Sequence, residues 1–323
     1  MLLPVLGIVL GLALLTVAAD QFVVGATRIA ARLRVSTVVI GAVVIGFGTS
    51  APELVVSVLA GLQGSLDLAV GNIVGSNVAN LSLVLGVAAL ISPVTVSSPV
   101  LRREAPLSLG LVLLLALLLQ SGTLTLLDGA VLFTGLVVAL SITLLSARRT
   151  AAPGAPGAPV AVDSVQEFLG TGGRLSLPRE STRTLLGLLL TLGAAQLLVV
   201  SATTVARELG LSEAFIGLTV VAIGTSLPEL ATAVQAARRN ETDLLIGNLL
   251  GSNVFNSGAV GAAAAVAGAG QPISAAVSGV GTVLMVGVAT LATLFMISRR
   301  TVHRIEALVL LAIYIGTLPL LAG

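Results

Sequence analysis

The chain has no cysteine, no tryptophan and no lysine, a single histidine and a single tyrosine, and charged residues at only 9% of its 323 positions. Each scarcity excludes something. Without cysteine there is neither a disulfide framework nor a thiolate metal site. The one histidine, His303, sits among Arg299, Arg300 and Arg304, the setting of a loop or helix-end residue and not of a ligand. A soluble domain carries roughly 25% charged residues, so this chain could not cover a water-facing surface. What fills the space is apolar. Hydrophobic residues make up 56% of the sequence, and the mean hydropathy is +1.12. Lipid admits only helices and closed barrels, and the apolar runs here have helix-spanning length. The chain reads as an all-α polytopic membrane protein.

Cutting the apolar runs at proline, glycine and arginine clusters gives ten expected spans. They cover residues 3–30, 37–62, 67–91, 105–121, 126–147, 184–206, 213–237, 243–268, 273–297 and 303–321. The first is apolar without a basic leader region and is taken as a span, not as a cleaved signal peptide. All 16 basic residues are arginines. Arg28, Arg32, Arg34, Arg102, Arg103, Arg148, Arg149, Arg174, Arg179, Arg183, Arg238, Arg239, Arg299, Arg300 and Arg304 fall in the connections, or at the span ends beside them, that ten spans place on one side, and Arg207 alone falls on the other. That asymmetry marks the cytoplasmic side and leaves both termini extracytoplasmic. The localisation expected is therefore the cytoplasmic membrane, crossed many times.

Two stretches repeat one another. GFGTSAPELVVSVLAG and GNIVGSNVANLSLVLG in the first half match AIGTSLPELATAVQAA and GNLLGSNVFNSGAVGA in the second. Glu53 recurs as Glu229 and Asn80 as Asn256, a constant offset of 176 (229 − 53; 256 − 80). The halves are residues 1–147 and 183–323, joined by a Pro/Gly-rich cytoplasmic linker at 148–182 that includes AAPGAPGAPVAV. Five spans per half is an odd number, so the second copy enters the membrane from the opposite side. The expected fold is ten transmembrane helices as two inverted five-helix repeats, an arrangement typical of secondary transporters.

Each copy sets one carboxylate inside an apolar segment, which costs about 3 kcal/mol for a charged side chain at mid-membrane. No basic residue lies in the middle of any expected span to pair with it. Thr49 and Glu53 are four apart and share a helix face. Pro52 has no N–H and its ring clashes with the carbonyl of residue 48, so the helix should break there and free that carbonyl. Thr225, Ser226, Pro228 and Glu229 repeat the arrangement. Ser76 with Asn80, and Ser252 with Asn256, are again four apart, and Asn72, Asn77, Asn248 and Asn253 add amides. Gly71 with Gly75, and Gly247 with Gly251, form small-residue faces that let helices approach closely. The donor set is all oxygen, which suits the hard cations Na⁺, Ca²⁺ and Mg²⁺ and not zinc or copper. One Ca²⁺ or two Na⁺ would neutralise two carboxylates. Asp20, opposite Gln196 in the repeat, reads as a structural residue, and Asp67 and Asp243 as helix-start carboxylates favoured by the dipole.

GTSAPEL with GNIVGSN, and GTSLPEL with GNLLGSN, resemble the two alpha repeats of the sodium/calcium exchanger family in the cation/calcium antiporter superfamily. The resemblance covers both halves. It implies ten helices in inverted repeats and exchange of Ca²⁺ against Na⁺, with no enzymatic activity and no cofactor. It implies that Thr49, Ser50, Glu53, Ser76, Asn80, Thr225, Ser226, Glu229 and Ser252 line the cation sites, that the carbonyls of Gly46 and Ala222 contribute, and that the first and sixth spans slide as a gating pair. One position departs: many relatives carry aspartate where this chain has Asn256. The site is one potential charge poorer, and a coupling of two Na⁺ per Ca²⁺ is expected in place of three. The partners expected are Ca²⁺, Na⁺ and the lipid bilayer, with H⁺ as a competitor at the glutamate pair, and neither nucleic acid nor an obligatory protein partner. A Ca²⁺/H⁺ antiporter and a passive cation channel are the alternatives the same oxygens would serve.

Overall fold

A computed structural model describes residues 2–32, 46–150, 176–238, 240 and 242–322. The first half contains α1 (Leu2–Arg32), α2 (Gly46–Thr49), α3 (Ala51–Leu62), α4 (Leu66–Ala79), α5 (Leu85–Ile91), β1 (Val94–Thr95), α6 (Ser98–Arg102), α7 (Glu104–Leu119) and α8 (Leu126–Thr150). The second contains α9 (Leu177–Leu209), α10 (Glu213–Ile216), α11 (Ala222–Thr225), α12 (Leu227–Arg238), α13 (Thr242–Phe255), α14 (Gly261–Ala267), α15 (Thr282–Arg299), β2 (Thr301–Val302) and α16 (Arg304–Ala322). Among the described residues four π-helical segments interrupt the α-helices, at Asn80–Val84, Gly217–Val221, Asn256–Val260 and Ala276–Gly281. A π turn admits an extra residue and re-aims the side chains beyond it, and such turns concentrate at functional sites. Two of them begin at Asn80 and Asn256, the same place in each repeat.

Helices thus occupy each of the ten expected stretches. By length and apolarity, five of those among the described residues qualify as membrane spans, or six if the bent pair Glu213–Thr225 and Leu227–Arg238 counts as one. The 16 residues of α7 reach only about 24 Å at 1.5 Å per residue, short of the ~30 Å hydrocarbon layer. The second expected span has its first residues, 37–45, outside the described ones. The Pro/Gly tract of the 148–182 linker likewise lies outside them, but both its ends are helical: α8 runs to Thr150 and α9 begins at Leu177.

The core follows the repeats. The span Leu66–Ile91 is 83% buried and Leu245–Ala267 78% buried, whereas Leu126–Ser146 is only 22% buried. Both motif helices therefore sit at the centre. The outer helices present large apolar side chains such as Leu127, Phe133, Leu186 and Val283 to the surroundings, as a lipid-facing surface requires. The centre is tight because its helices meet at backbone. A Cβ on Gly75 would lie 2.5 Å from the Leu218 carbonyl oxygen and 2.6 Å from the Ala222 Cβ. The small-residue face expected at Gly71 and Gly75 is therefore used. The repeat mates of the residues that Gly71 and Gly75 meet include 38, 41 and 42, which lie outside the described residues, as does the test of the same expectation at Gly247 and Gly251.

Along the outside, α1 packs lengthwise on α9. Gly11 lies against Leu198 and Gly187 against Phe22. These contacts are repeat mates (187 − 11 = 176; 198 − 22 = 176). The seam is closed at one end by Arg28, whose Nη1 lies 3.2 Å from Glu180 Oε1, and by Arg183, whose Nη1 lies 3.7 Å from Glu180 Oε2.

Short pairings tie the connections together at both ends of the bundle. β1 pairs antiparallel with β2, Val94 opposite Val302. At the other end of α7, Thr123 bridges Pro272, Ile273 N donates to Gly122 O at 2.8 Å and Gly270 N donates to Leu124 O at 2.9 Å.

Candidate cation site

The helix breaks expected at the prolines lie one turn into each motif. Ser50 separates α2 from α3 with φ −91° and ψ 7°, and Ser226 separates α11 from α12 with φ −85° and ψ 6°. The chain bends by 42° across the second break. Proline supplies the cause, since it has no N–H for the carbonyl four residues back. Each continuing helix starts immediately after its serine, so Glu53 and Glu229 fall in a first turn. The N-terminal end of the helix dipole favours a negative charge there.

Both glutamates are fully buried, and each is held from the opposite repeat. Ser50 Oγ donates to Glu229 Oε1 at 3.2 Å, and Ser226 Oγ donates to Glu53 Oε1 at 3.3 Å. Ser252 Oγ adds a second donor to Glu229 Oε1 at 3.3 Å. Thr225 and Thr49 stand beside Glu53 and Glu229 respectively. Thr49 Oγ1 also lies 3.4 Å from Ser252 Oγ, and Ser76 Oγ lies 3.4 Å from Thr225 Oγ1. All of these pairings but Ser252–Glu229 map onto a partner under the 176-residue offset. The structure thus brings Thr49, Ser50, Glu229 and Ser252 into one cluster and Thr225, Ser226, Glu53 and Ser76 into its mate.

The remaining expected residues stand differently. Gly46 heads α2 and Ala222 heads α11. The Ala222 carbonyl accepts from Ser226 N at 3.1 Å and from Thr225 Oγ1 at 3.3 Å, so a cation there would compete with the threonine. Asn80 Nδ2 donates to Asn253 Oδ1 at 3.1 Å, and Asn253 Nδ2 to the Asn77 carbonyl at 3.4 Å. Asn256 is fully buried, and neither of its amide atoms has a partner. The side chains of Asp20 and Asp243 lie outside the described residues. Asp67 does more than sit at a helix start: its Oδ1 accepts from Ser274 N at 2.7 Å, joining the two halves.

Two further residues enter that the serine, threonine and glutamate spacing did not single out. Asn72 Oδ1 accepts from Thr225 Oγ1 at 3.0 Å, and Asn72 Nδ2 donates to Ser57 Oγ at 3.0 Å. Ser57 lies four residues after Glu53, so the same helix-face spacing that joins Thr49 to Glu53 would have found it.

The centre holds acceptor oxygens that no protein group satisfies. Glu53 Oε2, Glu229 Oε2, Asn77 Oδ1, Asn80 Oδ1 and Asn256 Oδ1 are buried without a hydrogen-bond partner. A buried acceptor left alone costs about 1–3 kcal/mol, and more if charged. Ion pairs among the described residues include Arg28–Glu180, Arg183–Glu180 and Arg103–Glu104, and no described basic residue pairs with either central glutamate. Among the described residues no three His, Cys, Asp or Glu side chains gather into a metal-binding group. The oxygens present, two of them on carboxylates, fit oxygen-seeking cations bound in passage.

Known proteins carry the same pattern. The family model described as sodium/calcium exchanger protein matches residues 3–145 and 183–321. The putative antiporter CaxA of Alkalimonas amylolytica is 41% identical over 260 residues, covering 79% of this chain and 78% of its own. The sodium/calcium exchanger MaX1 of Methanosarcina acetivorans is 30% identical over 275 residues, covering 77% of this chain and 79% of its own. The sodium-calcium exchanger NCX_Mj, solved after soaking in 10 mM Na⁺ and 10 mM Sr²⁺, superposes with a TM-score of 0.66 at 31% identity over 98% of both chains. With both repeats matched and the fold shared end to end, the chain belongs to the sodium/calcium exchanger family of multi-pass membrane antiporters.

Proposed function

We propose that this protein exchanges Ca²⁺ for Na⁺ across the cytoplasmic membrane by alternating access, with Glu53 and Glu229 as ligands shared by both ions. The observation that carries this reading is the crossed pair of buried carboxylates, each held by a serine of the other repeat and each keeping one oxygen unpartnered. Thr49, Ser50, Ser76, Asn80, Thr225, Ser226, Ser252 and Asn256 complete the oxygen shell, with the carbonyls of Gly46 and Ala222. Neutralising the carboxylates is the condition for reorienting, because an uncompensated charge at mid-membrane opposes movement. Two ions competing for one charged pair are then coupled without any further device.

The ten-span, inverted arrangement is supported by the short pairings. The β1·β2 contact joins the connections at 92–97 and 300–303, which the arginines place on the cytoplasmic side. The Thr123·Pro272 contact joins the two connections that the same count places outside. Shifting Val94 by 176 gives residue 270, beside Pro272, so mates of one another occupy opposite ends of α7. The two termini then face outward. Asn256, an amide, leaves two carboxylates in the site, which favours two Na⁺ per Ca²⁺.

The test is ⁴⁵Ca²⁺ uptake into vesicles loaded with sodium or with choline. Sodium loading accelerates uptake if the reading holds. Uptake that ignores sodium and follows an imposed pH gradient identifies a proton antiporter, and uptake that needs no counter-ion identifies a channel.

A further inference from the structure

We propose that Asn72, anchored by Ser57, is a positioning residue that turns the Thr225 hydroxyl so that its lone pairs face the cation, and that its repeat mate Asn248 lacks this restraint because Ala233 stands where Ser57 does. The inference rests on the proposed cation site and adds an ordering within it.

The direction of every hydrogen bond in this chain of groups is fixed by its first member. A backbone carbonyl only accepts, and Ser57 Oγ donates to the Ala69 carbonyl at 3.1 Å. The single serine proton is then used, so Ser57 Oγ can only accept from Asn72 Nδ2, 3.0 Å away. A second acceptor, the Glu53 carbonyl, holds the same nitrogen at 3.4 Å. With its nitrogen end held, the amide presents Oδ1 to Thr225 Oγ1 at 3.0 Å, the shorter of the two acceptors open to that single proton, the other being the Ala222 carbonyl at 3.3 Å. The threonine proton is directed away from the carboxylate, and lone pairs remain for whatever sits beside Glu53. An O–H pointed at a cation repels it; an oxygen whose proton is held elsewhere attracts it at once.

The second repeat lacks the start of this chain of groups. Ser57 shifted by 176 is Ala233, which is buried and has no hydroxyl. Asn248, the mate of Asn72, has its Nδ2 buried without a partner. Its Oδ1 meets Thr49 Oγ1 only at 3.5 Å, against 3.0 Å for the mate contact, while Ser252 Oγ stands 3.4 Å from Thr49 as Ser76 Oγ does from Thr225. Nothing then decides which way the Asn248 amide or the Thr49 proton points. The Thr225 side of the site is preorganised, and the Thr49 side has to order when an ion arrives. Preorganisation of this kind appears as affinity, because the ordering free energy is already spent.

The experiment compares Ser57→Ala, Ser57→Thr and Ala233→Ser in the full-length protein. It reads the Ca²⁺ KM and maximal rate of exchange in proteoliposomes, and the Ca²⁺ Kd of purified protein by titration calorimetry. Loss of one restraining hydrogen bond predicts a KM and Kd raised about tenfold in Ser57→Ala with a maximal rate within about twofold. Ser57→Thr, which keeps the hydroxyl, restores both constants. Ala233→Ser gives Asn248 Nδ2 an acceptor and tightens Kd several-fold. A Ser57→Ala protein with the original Kd overturns the proposal whatever its melting temperature, since helix gluing alone would move only the latter. An unchanged Kd in Ala233→Ser overturns the claimed difference between the halves. Glu53→Gln run alongside separates the two levels: if it still exchanges Ca²⁺, the cation site itself is wrong; if it is dead while the Ser57 variants are unaffected, only this inference falls.

Discussion

Ser50 donates to the carboxylate of Glu229 at 3.2 Å although 179 residues separate them, and the contact has a mirror in Ser226 and Glu53 at 3.3 Å. Each helix break thus supplies a hydroxyl to the other repeat's acid and not to its own. A motion that separates the repeats loosens both glutamates together. A single site made of two interlocked halves can open toward either face of the membrane while remaining one site, which is what an exchanger requires.

Replacing either carboxylate should stop exchange. Glu53→Gln and Glu229→Gln keep the shape and one acceptor oxygen but remove the charge that holds a divalent ion. Sodium-driven ⁴⁵Ca²⁺ uptake is expected to fall to the level of empty vesicles for both. Ser50→Ala and Ser226→Ala remove one hydrogen bond to a charged group, about 1.5–3 kcal/mol, so each should weaken Ca²⁺ binding by roughly ten- to a hundredfold. Near-normal uptake in either glutamine variant would falsify the assignment.

Glycine at position 75 is required by close approach. An added Cβ meets the Leu218 carbonyl at 2.5 Å and the Ala222 Cβ at 2.6 Å, and both belong to the segment that carries the second helix break. Backbone has to shift, so Gly75→Ala should destabilise the fold by about 1–3 kcal/mol and slow exchange by displacing Ala222 and its neighbours. Gly110, on α7, has open space around its missing side chain. Gly110→Ala is the control and should be neutral or slightly stabilising. Thermal unfolding in detergent compares the two, and equal melting temperatures would contradict the packing described.

Much of this was legible before any coordinates. The repeat offset, the break at each Ser-x-Pro-Glu and the ends of the helices follow from local patterns: proline chemistry, apolar run length and a doubled motif. Glu53, Glu229 and the hydroxyls around them stand out because a charge inside an apolar segment is rare. What stayed hidden is relational. Nothing in the spacing says that Ser50 reaches Glu229 and not Glu53, that Asp67 binds the backbone of Ser274, or that β1 and β2 pair across some 200 residues. The π segments were equally invisible, since one extra residue in a helical turn leaves no compositional trace. The small-residue face of the first repeat was legible, and the structure shows Gly71 and Gly75 in backbone contact.

Coupling should reflect the missing acid at position 256. Glu53 and Glu229 are the carboxylates of the central cluster, and Asn256 adds an uncharged amide with both polar atoms free. Two Na⁺ for one Ca²⁺ moves no net charge, so the reversal condition should depend on the ion gradients alone. Proteoliposomes clamped at different membrane potentials are expected to give the same equilibrium Ca²⁺ ratio. A ratio that shifts with potential as a three-to-one exchange demands would sink the two-to-one coupling. Asn256→Asp then asks whether a third carboxylate makes the equilibrium voltage-dependent.

The α1/α9 seam repeats Gly11 as Gly187 but does not repeat its charges. Glu180 is buried at 5% exposure and faces Arg28 and Arg183, whereas the repeat mates of Arg28 and Glu180 are Thr204 and Pro4, which cannot form an ion pair. One end of the helix pair is therefore locked by charge, and the mates of the locking residues at the other end carry none. Glu180→Gln leaves two guanidinium groups without their carboxylate. Full burial would make that loss about 3–5 kcal/mol, but Arg28 and Arg183 are 23% and 31% exposed, so about 1–2 kcal/mol is expected after solvent screening. The reversed double variant, Arg28→Glu with Glu180→Arg, restores opposite charges at the same place and should recover part of the lost stability. Unfolding of the two singles and the double forms a mutant cycle. If the double is no more stable than the additive sum of the singles, the lock is not electrostatic.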